Sequence, residues 1–296
     1  KIKKPNKDEN NKYFKVKKPI FLTLSAKDFS AFKVLVDQHR KIISKKEISS
    51  DIHDYSTANN CSRDFLPIRR LFSGFNAEEL LADLNTIDDL HDTNPARTQN
   101  SRGLTAFILD GSPHISLDLY RSEPSYKKGL DDCCKYYDIE VDSILLSSSL
   151  TKTDEAAVIS AFSLMFMWRN WGISPDVIVT TKKYFSICNI VLDKGNINTH
   201  NNLIPKGTSE DYKIRKNRQD ILELNNYIEN QSIDWSTLQS DLKRLNVSTI
   251  ISLLPGVSIP KNQTIFTQGY FENNEWTGIS DSLKKIFNSG YEINWD

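Results

Sequence analysis

Four cations fall within a short stretch of the second half of the chain: Lys213, Arg215, Lys216 and Arg218. Thr208, with Asp211 three residues on, reads as a capping box that opens a helix running to about Asn230. The cations crowd the first half of that helix, where the positive end of its dipole disfavours them. Glu223 and Glu229 fall in its second half, also against the dipole. Charge set against the local rule points to function, because cations beside a helix N-terminus make an anion site. Phosphate backbone is the obvious anion. Lys182 and Lys183 add charge beside Tyr184 and Phe185, whose rings offer faces on which bases stack. These eight residues form the candidate nucleic-acid-binding set. A solvated helix face with i,i+4 pairs is the plainer reading of the same cluster.

A second chemistry is open to the carboxylates. Asp110 and Asp118 lie on or beside two expected strands, and divalent-metal nucleases place carboxylates on adjacent strands. The pairs His53-Asp54 and His91-Asp92 are of the type that metal-dependent phosphohydrolases draw from several helices. The lysine-bearing strand that such nucleases add is absent from Asp118-Leu119-Tyr120-Arg121, and Asp110 is more simply the first residue of an Asp-Gly turn. The sequence contains no Gly-x-Ser-x-Gly, P-loop, Gly-x-Gly-x-x-Gly or His-Glu-x-x-His. No catalytic residue, metal ligand or cofactor is assigned on these grounds, and enzymatic activity is left open with the balance against it.

Composition bounds the reading further. The 296 residues carry 38 basic and 38 acidic side chains, yet the first 18 hold eight lysines against only Asp8 and Glu9. A basic arm therefore precedes an acidic body. Such terminal blocks are commonly disordered and engage a polyanion or an acidic partner. Cys61, Cys133, Cys134 and Cys188 are too few for a disulfide framework and show no Cys-x-x-Cys spacing, so reduced thiols in a cytoplasmic or virion-associated setting are expected. No window reads as a transmembrane helix.

The elements that must position these residues are organised around Thr153–Gly172, TDEAAVISAFSLMFMWRNWG, where only Ser160 and Ser163 interrupt the apolar run from Ala156 to Trp168. A helix apolar nearly all round is buried on most sides. Before it, a strand at Ile20–Leu24 leads to a helix running to about Lys45, a loop over 47–64 and a helical piece over 64–72. A helix capped by Asn76 with Glu79 follows. Leu104–Leu109 and His114–Tyr120 read as a hairpin around Asp110-Gly111. After it come strands at 177–180 and 184–192, the helix of 208–230, a short helix from Ser236, a strand-or-helix segment at 247–254, and a last helix stopped by Gly290.

The expected class is α+β, helix-rich, with a small, mostly antiparallel sheet packed on a buried central helix (153–171). The expected organisation is a flexible basic arm (1–18), an α+β main lobe (19–194), a hinge loop (195–207) and a mainly helical C-terminal lobe (208–296). The function this supports is a non-enzymatic, nucleic-acid-associated and self-assembling protein, nucleocapsid- or coat-like. It would bind RNA or DNA backbone locally and form homo-oligomers through the arm, with no membrane partner. A metal-dependent nuclease or phosphodiesterase, and a protein-interaction module without nucleic acid, are the alternatives.

Overall fold

The computed structural model describes residues 18–45, 48, 51–61, 66–89, 104–109, 111, 113–146, 154–180, 221–223, 228–229, 232–233, 235–254, 266–268 and 275–295. Leu104–Leu109 (β3), LTAFIL, is buried at every position after the first. A strand buried on both faces belongs inside a parallel sheet flanked by helices. β3 lies at the centre of such a sheet, with Val177–Thr180 (β4) and Ile221–Glu223 (β5) on one side. Val247–Ser252 (β8) and Phe266–Gln268 (β9) lie on the other, and every pairing in this sheet is parallel.

The alternation along the strands assigns the two faces. Phe107, Leu109, Ile178 and Ile251 join one buried cluster with Asp154–Asn170 (α7) and with Pro124–Tyr137 (α5). Ala106, Ile108, Val177, Val179 and Ile250 face Leu238 and Leu242 of Trp235–Arg244 (α8) on the opposite side. The helix read from its composition as the spine of the fold is buried as expected: Ile159, Ala161, Met165, Met167 and Trp168 are inaccessible to solvent. Its two serines are satisfied within the chain, Ser163 by the carbonyl of Ile159 at 2.7 Å and Ser160 by the backbone of His114. Gly129 lets α5 approach α7 closely, since a Cβ there would lie 3.0 Å from Phe166 Cβ and 3.2 Å from Ser163 Cα. After α7 the chain turns through Gly172 at φ +82°, the stop read from the sequence.

The N-terminal part has its own core. Ile20–Ala26 (β1) and Ile68–Gly74 (β2) form an antiparallel pair covered by Phe29–Ile43 (α1), Ile52–Cys61 (α2) and Ala77–Asn85 (α3). A two-stranded ribbon is marginal alone, and its outer edges need partners. Side chains supply them. Asn60 accepts from Thr23 N at 2.8 Å and donates to the carbonyl of Phe21 at 2.7 Å, and Asn59 donates to Thr23 O at 2.8 Å. On the other strand, Leu71 N donates to Asn288 Oδ1 at 3.1 Å and Ser73 N to Asp83 Oδ2 at 2.8 Å. Asn288 ends Glu275–Asn288 (α9), which also holds this part through Lys284–Asp83 at 2.7 Å and through Phe287 under the Arg69 guanidinium.

The molecule is helix-rich α+β with a small antiparallel sheet, as the sequence indicated, and a separate parallel sheet carries its centre. Four local expectations are corrected. The second strand of the hairpin is instead the short helix Leu117–Ser122 (α4), capped by the Ser116 hydroxyl, which accepts from Leu119 N at 2.9 Å. The loop over 47–64 contains α2, whose buried face is polar because its asparagines serve the β1 edge. The helical piece over 64–72 gives way to β2 from Ile68. The helix expected over 208–230 is replaced at its described end by β5 and by Ile228–Glu229 (β6), which pairs antiparallel with Ser232–Ile233 (β7).

Candidate functional site

In an open parallel sheet, ligands bind beyond the carboxyl ends of the strands, where connecting loops diverge. Here that edge is defined by Leu109 at the end of β3, Thr180 at the end of β4 and Ser252 at the end of β8. The three ends are tied together. Thr180 Oγ1 donates to Leu109 O at 3.3 Å, Leu253 N donates to Ile108 O at 3.2 Å, and Ser252 Oγ donates to Leu254 O at 3.3 Å.

The connection leaving β3 is fixed at several points. Gly111, two residues past the strand, takes φ +122°, a conformation that residues with a Cβ rarely adopt. The hydroxyl of Ser160 then grips both backbone groups of His114: it accepts from His114 N at 3.0 Å and donates to His114 O. Two residues on, Ser116 N donates to the hydroxyl of buried Tyr126 at 3.1 Å. The clamp explains why a polar residue sits at the centre of the most apolar helix. It holds the backbone from His114 to Ser116, just ahead of α4, as a preorganised rim of the sheet edge.

Beside this rim, Lys127, Tyr120 and Asp131 close on one another. Lys127 Nζ donates to Tyr120 Oη at 2.6 Å and to Asp131 Oδ2 at 2.8 Å, and Tyr120 Oη donates to Asp131 Oδ1 at 2.9 Å. The bonds that it donates to Asp131 and to Tyr120 raise the lysine pKa, so its amine is not a base here. Burial also pushes the Cys133 thiol far above its ordinary range and Cys134 up to about 11. Neither thiol is a thiolate nucleophile near neutral pH.

Of the candidates read from the sequence, Lys182, Lys183, Tyr184, Phe185, Lys213, Arg215, Lys216 and Arg218 lie outside the described residues, as do Asp110, His91 and Asp92. The hinge at 195–207 and the arm before Lys18 lie outside them too. Glu223, used to argue a helix with reversed charge, is in β5 in register with Thr180, and Glu229 is in β6. Asp118 is exposed on helix α4 and not on a strand. His53 and Asp54 are on α2 of the N-terminal part. Among the described residues no group of three or more His, Cys, Asp or Glu could hold a metal ion. No helix among them is long and apolar enough to cross a membrane. The rim residues Gly111, His114, Ser160 and Thr180 were not among the candidates. The signal for them was present in the isolated serine of α7 and in the glycine that follows β3.

No protein-family model and no curated protein matches the sequence. Solved structures do match. The acyltransferase domain from the second module of the salinomycin polyketide synthase aligns over 92% of this chain and 94% of its own, with TM-score 0.52 and 10% identity. The acyl transferase domain of ZmaA aligns over 57% of this chain at TM-score 0.45 and 16% identity, so this chain spans 43% of that one. The acyltransferase domain from module 8 of the salinomycin synthase gives 56% and 43% coverage at TM-score 0.42 and 18% identity. The first of these likenesses places the chain in the acyltransferase fold. It corrects the nucleocapsid- or coat-like, RNA-binding reading. The physical support for that reading fails with it, because the residues expected to end the basic helix form strands of the parallel sheet and of a hairpin.

Proposed function

We propose that this chain is an acyltransferase-fold domain of a thioester-handling assembly, binding an acyl thioester at the carboxyl edge of its parallel sheet without forming a serine acyl-enzyme. The likeness that spans more than nine tenths of both chains supports the first half of this reading. The second half rests on the sequence just after β4. In hydrolase-type acyl transfer, the nucleophilic serine occupies a sharp strand-to-helix turn, and glycines on either side relieve its crowding. Here β4 ends at Thr180 and the sequence continues Thr181-Lys182-Lys183-Tyr184, with no glycine between Gly172 and Gly195. A strained elbow after β4 has no glycine to relieve it, the first serine there being Ser186, and after β3 Ser112 has Asp110 and His114 at the two positions where the elbow pattern places its glycines.

That sequence is the single observation that carries the reading. Two lysines one residue past a parallel strand provide charge for a carboxylate or for the phosphates of a coenzyme A thioester, which a serine elbow would not. Ser160 and Gly111 act as positioning residues: they hold the β3 rim against which an acyl group would rest. The experiment is a binding titration with malonyl- and acetyl-coenzyme A, run beside intact-protein mass spectrometry on the same samples. Saturable binding with unchanged protein mass is expected. An adduct released by hydroxylamine would overturn the absence of an acyl-enzyme, and no saturable binding would overturn the ligand.

A further inference from the structure

A separate cavity of about 310 Å³ lies where β1, α2, the start of α5 and the C-terminal segment after α9 meet. Its walls include Trp171, which precedes β4, so it is built from the loop that enters that strand and not from the one that leaves it. It is therefore distinct from the carboxyl edge of the parallel sheet. Its volume is at the lower end of the range in which small organic molecules are held, and such sites favour junctions between separately cored units. This junction is one: Ile20 belongs to the N-terminal core, while Phe21 and Trp171 belong to the core of the parallel sheet.

Two kinds of surface meet inside. One is aromatic. Phe21 lies 5.6 Å from Trp295 and 6.3 Å from Trp276, and Trp171 lies 6.4 Å from Trp276, ring centroid to centroid. The other is polar and offers hydrogen-bond donors. Lys18 and His53 both line the cavity. Glu123 lines it too, but its carboxylate is only 4% exposed and already accepts from Lys18 Nζ at 2.7 Å and from Ser125 Oγ at 2.5 Å. Lys18 is 40% exposed and carries three N–H donors, only one of them spent on Glu123. The cavity thus offers donors beside an aromatic wall, while its one acid is turned inward and satisfied.

We infer that this cavity binds a small organic carboxylate, with the apolar body against Phe21, Trp171 and Trp295 and the acid head on Lys18 with His53 at the mouth. The amine end of such a molecule, or a neutral alcohol, gains nothing from these donors, so acid over alcohol is the diagnostic preference. Because Trp171 and Trp295 line the cavity, binding is read directly from intrinsic fluorescence.

The test uses the full chain and two probes of equal shape, phenylacetate and 2-phenylethanol. Phenylacetate is expected to give a saturable fluorescence change, with the alcohol about tenfold weaker for want of one charge-assisted bond. Lys18→Gln should abolish that preference. As that variant leaves Glu123 without its cation and risks misfolding, Thr57→Phe provides a second arm. Thr57 is exposed on α2 at the cavity lining, and a phenyl group there should fill the mouth and weaken phenylacetate about tenfold. Equal affinity for the two probes, indifference to Thr57→Phe, or no saturable change would each overturn the inference. None of these results bears on coenzyme A binding at the strand edge.

Discussion

Asn60 acts as a surrogate strand, and replacing it tests how the N-terminal ribbon survives with only two strands. Its amide accepts from Thr23 N and from Thr23 Oγ1, each at 2.8 Å, and donates to Phe21 O at 2.7 Å, while the residue is 6% exposed. Asn60→Leu keeps the volume and removes every one of these bonds. Thr23 N and Phe21 O are then left without partners, and each orphaned buried group costs about 1–3 kcal/mol. Asn60 lines the cavity at the junction, so water can reach part of the exposed edge and the lower half of the sum applies. A loss of about 2–4 kcal/mol is expected, read as a fall in the urea midpoint at constant slope.

Asn60→Asp sharpens the test through pH. The charged carboxylate would still accept from Thr23 but would face the carbonyl of Phe21, and burial also disfavours it, so its folded-state pKa is raised above the unfolded value of about 4. A raised acid is most stable in the fold below the unfolded pKa and loses that stability as pH rises through the folded pKa. The aspartate variant should therefore lie nearest to wild type in acid and fall away from it towards neutrality. A leucine variant within about 0.5 kcal/mol of wild type, or an aspartate variant with flat relative stability over that window, would refute the edge-cap reasoning.

Two further predictions concern the main core. Gly129→Ala gains up to about 1 kcal/mol of helix propensity, but it places a methyl 3.2 Å from Ser163 Cα, a backbone atom that cannot swing away. Overpacking of this kind costs about 1–3 kcal/mol, so net destabilisation in a thermal melt is expected and a raised Tm would show that α5 and α7 can part. Native alkylation with iodoacetamide followed by peptide mapping should label exposed Cys61 and spare Cys133 and Cys134, whose thiols are buried and held protonated.

What was legible in the sequence was whatever a hydrophobic period or a cap dictates on its own. α7 was visible because an apolar run of that length admits few alternatives, and α3 because Asn76 and Glu79 spell a helix start, with Glu79 N on Asn76 Oδ1 at 2.9 Å and the Glu79 carboxylate accepting from Phe75 N at 2.9 Å. The stops at Gly172 and Gly290 were equally local, since both need a positive φ. What was illegible depended on distant partners. α2 has a buried polar face that makes sense only once the β1 edge is beside it. His114–Tyr120 alternates like a strand, yet Ser116 caps a helix there because Ser160 and Tyr126 hold the preceding backbone. β5 could not be told from a helix continuation, because its strand character comes from pairing with β4 across a long separation. The site obeyed the same rule. Attention went to charge, which is conspicuous in a sequence, while the rim is made of a glycine, a threonine and a serine whose roles appear only when three strand ends are brought together.

Use of the acyltransferase fold without a covalent serine intermediate is the central functional proposal. Its most direct test is the intact mass of the protein after incubation with malonyl-coenzyme A, quenched in acid to preserve esters. An unchanged mass is expected in samples that show saturable binding of the thioester before quenching. A stoichiometric malonyl adduct, removed by hydroxylamine and mapped to a hydroxyl after β3 or β4, would contradict it.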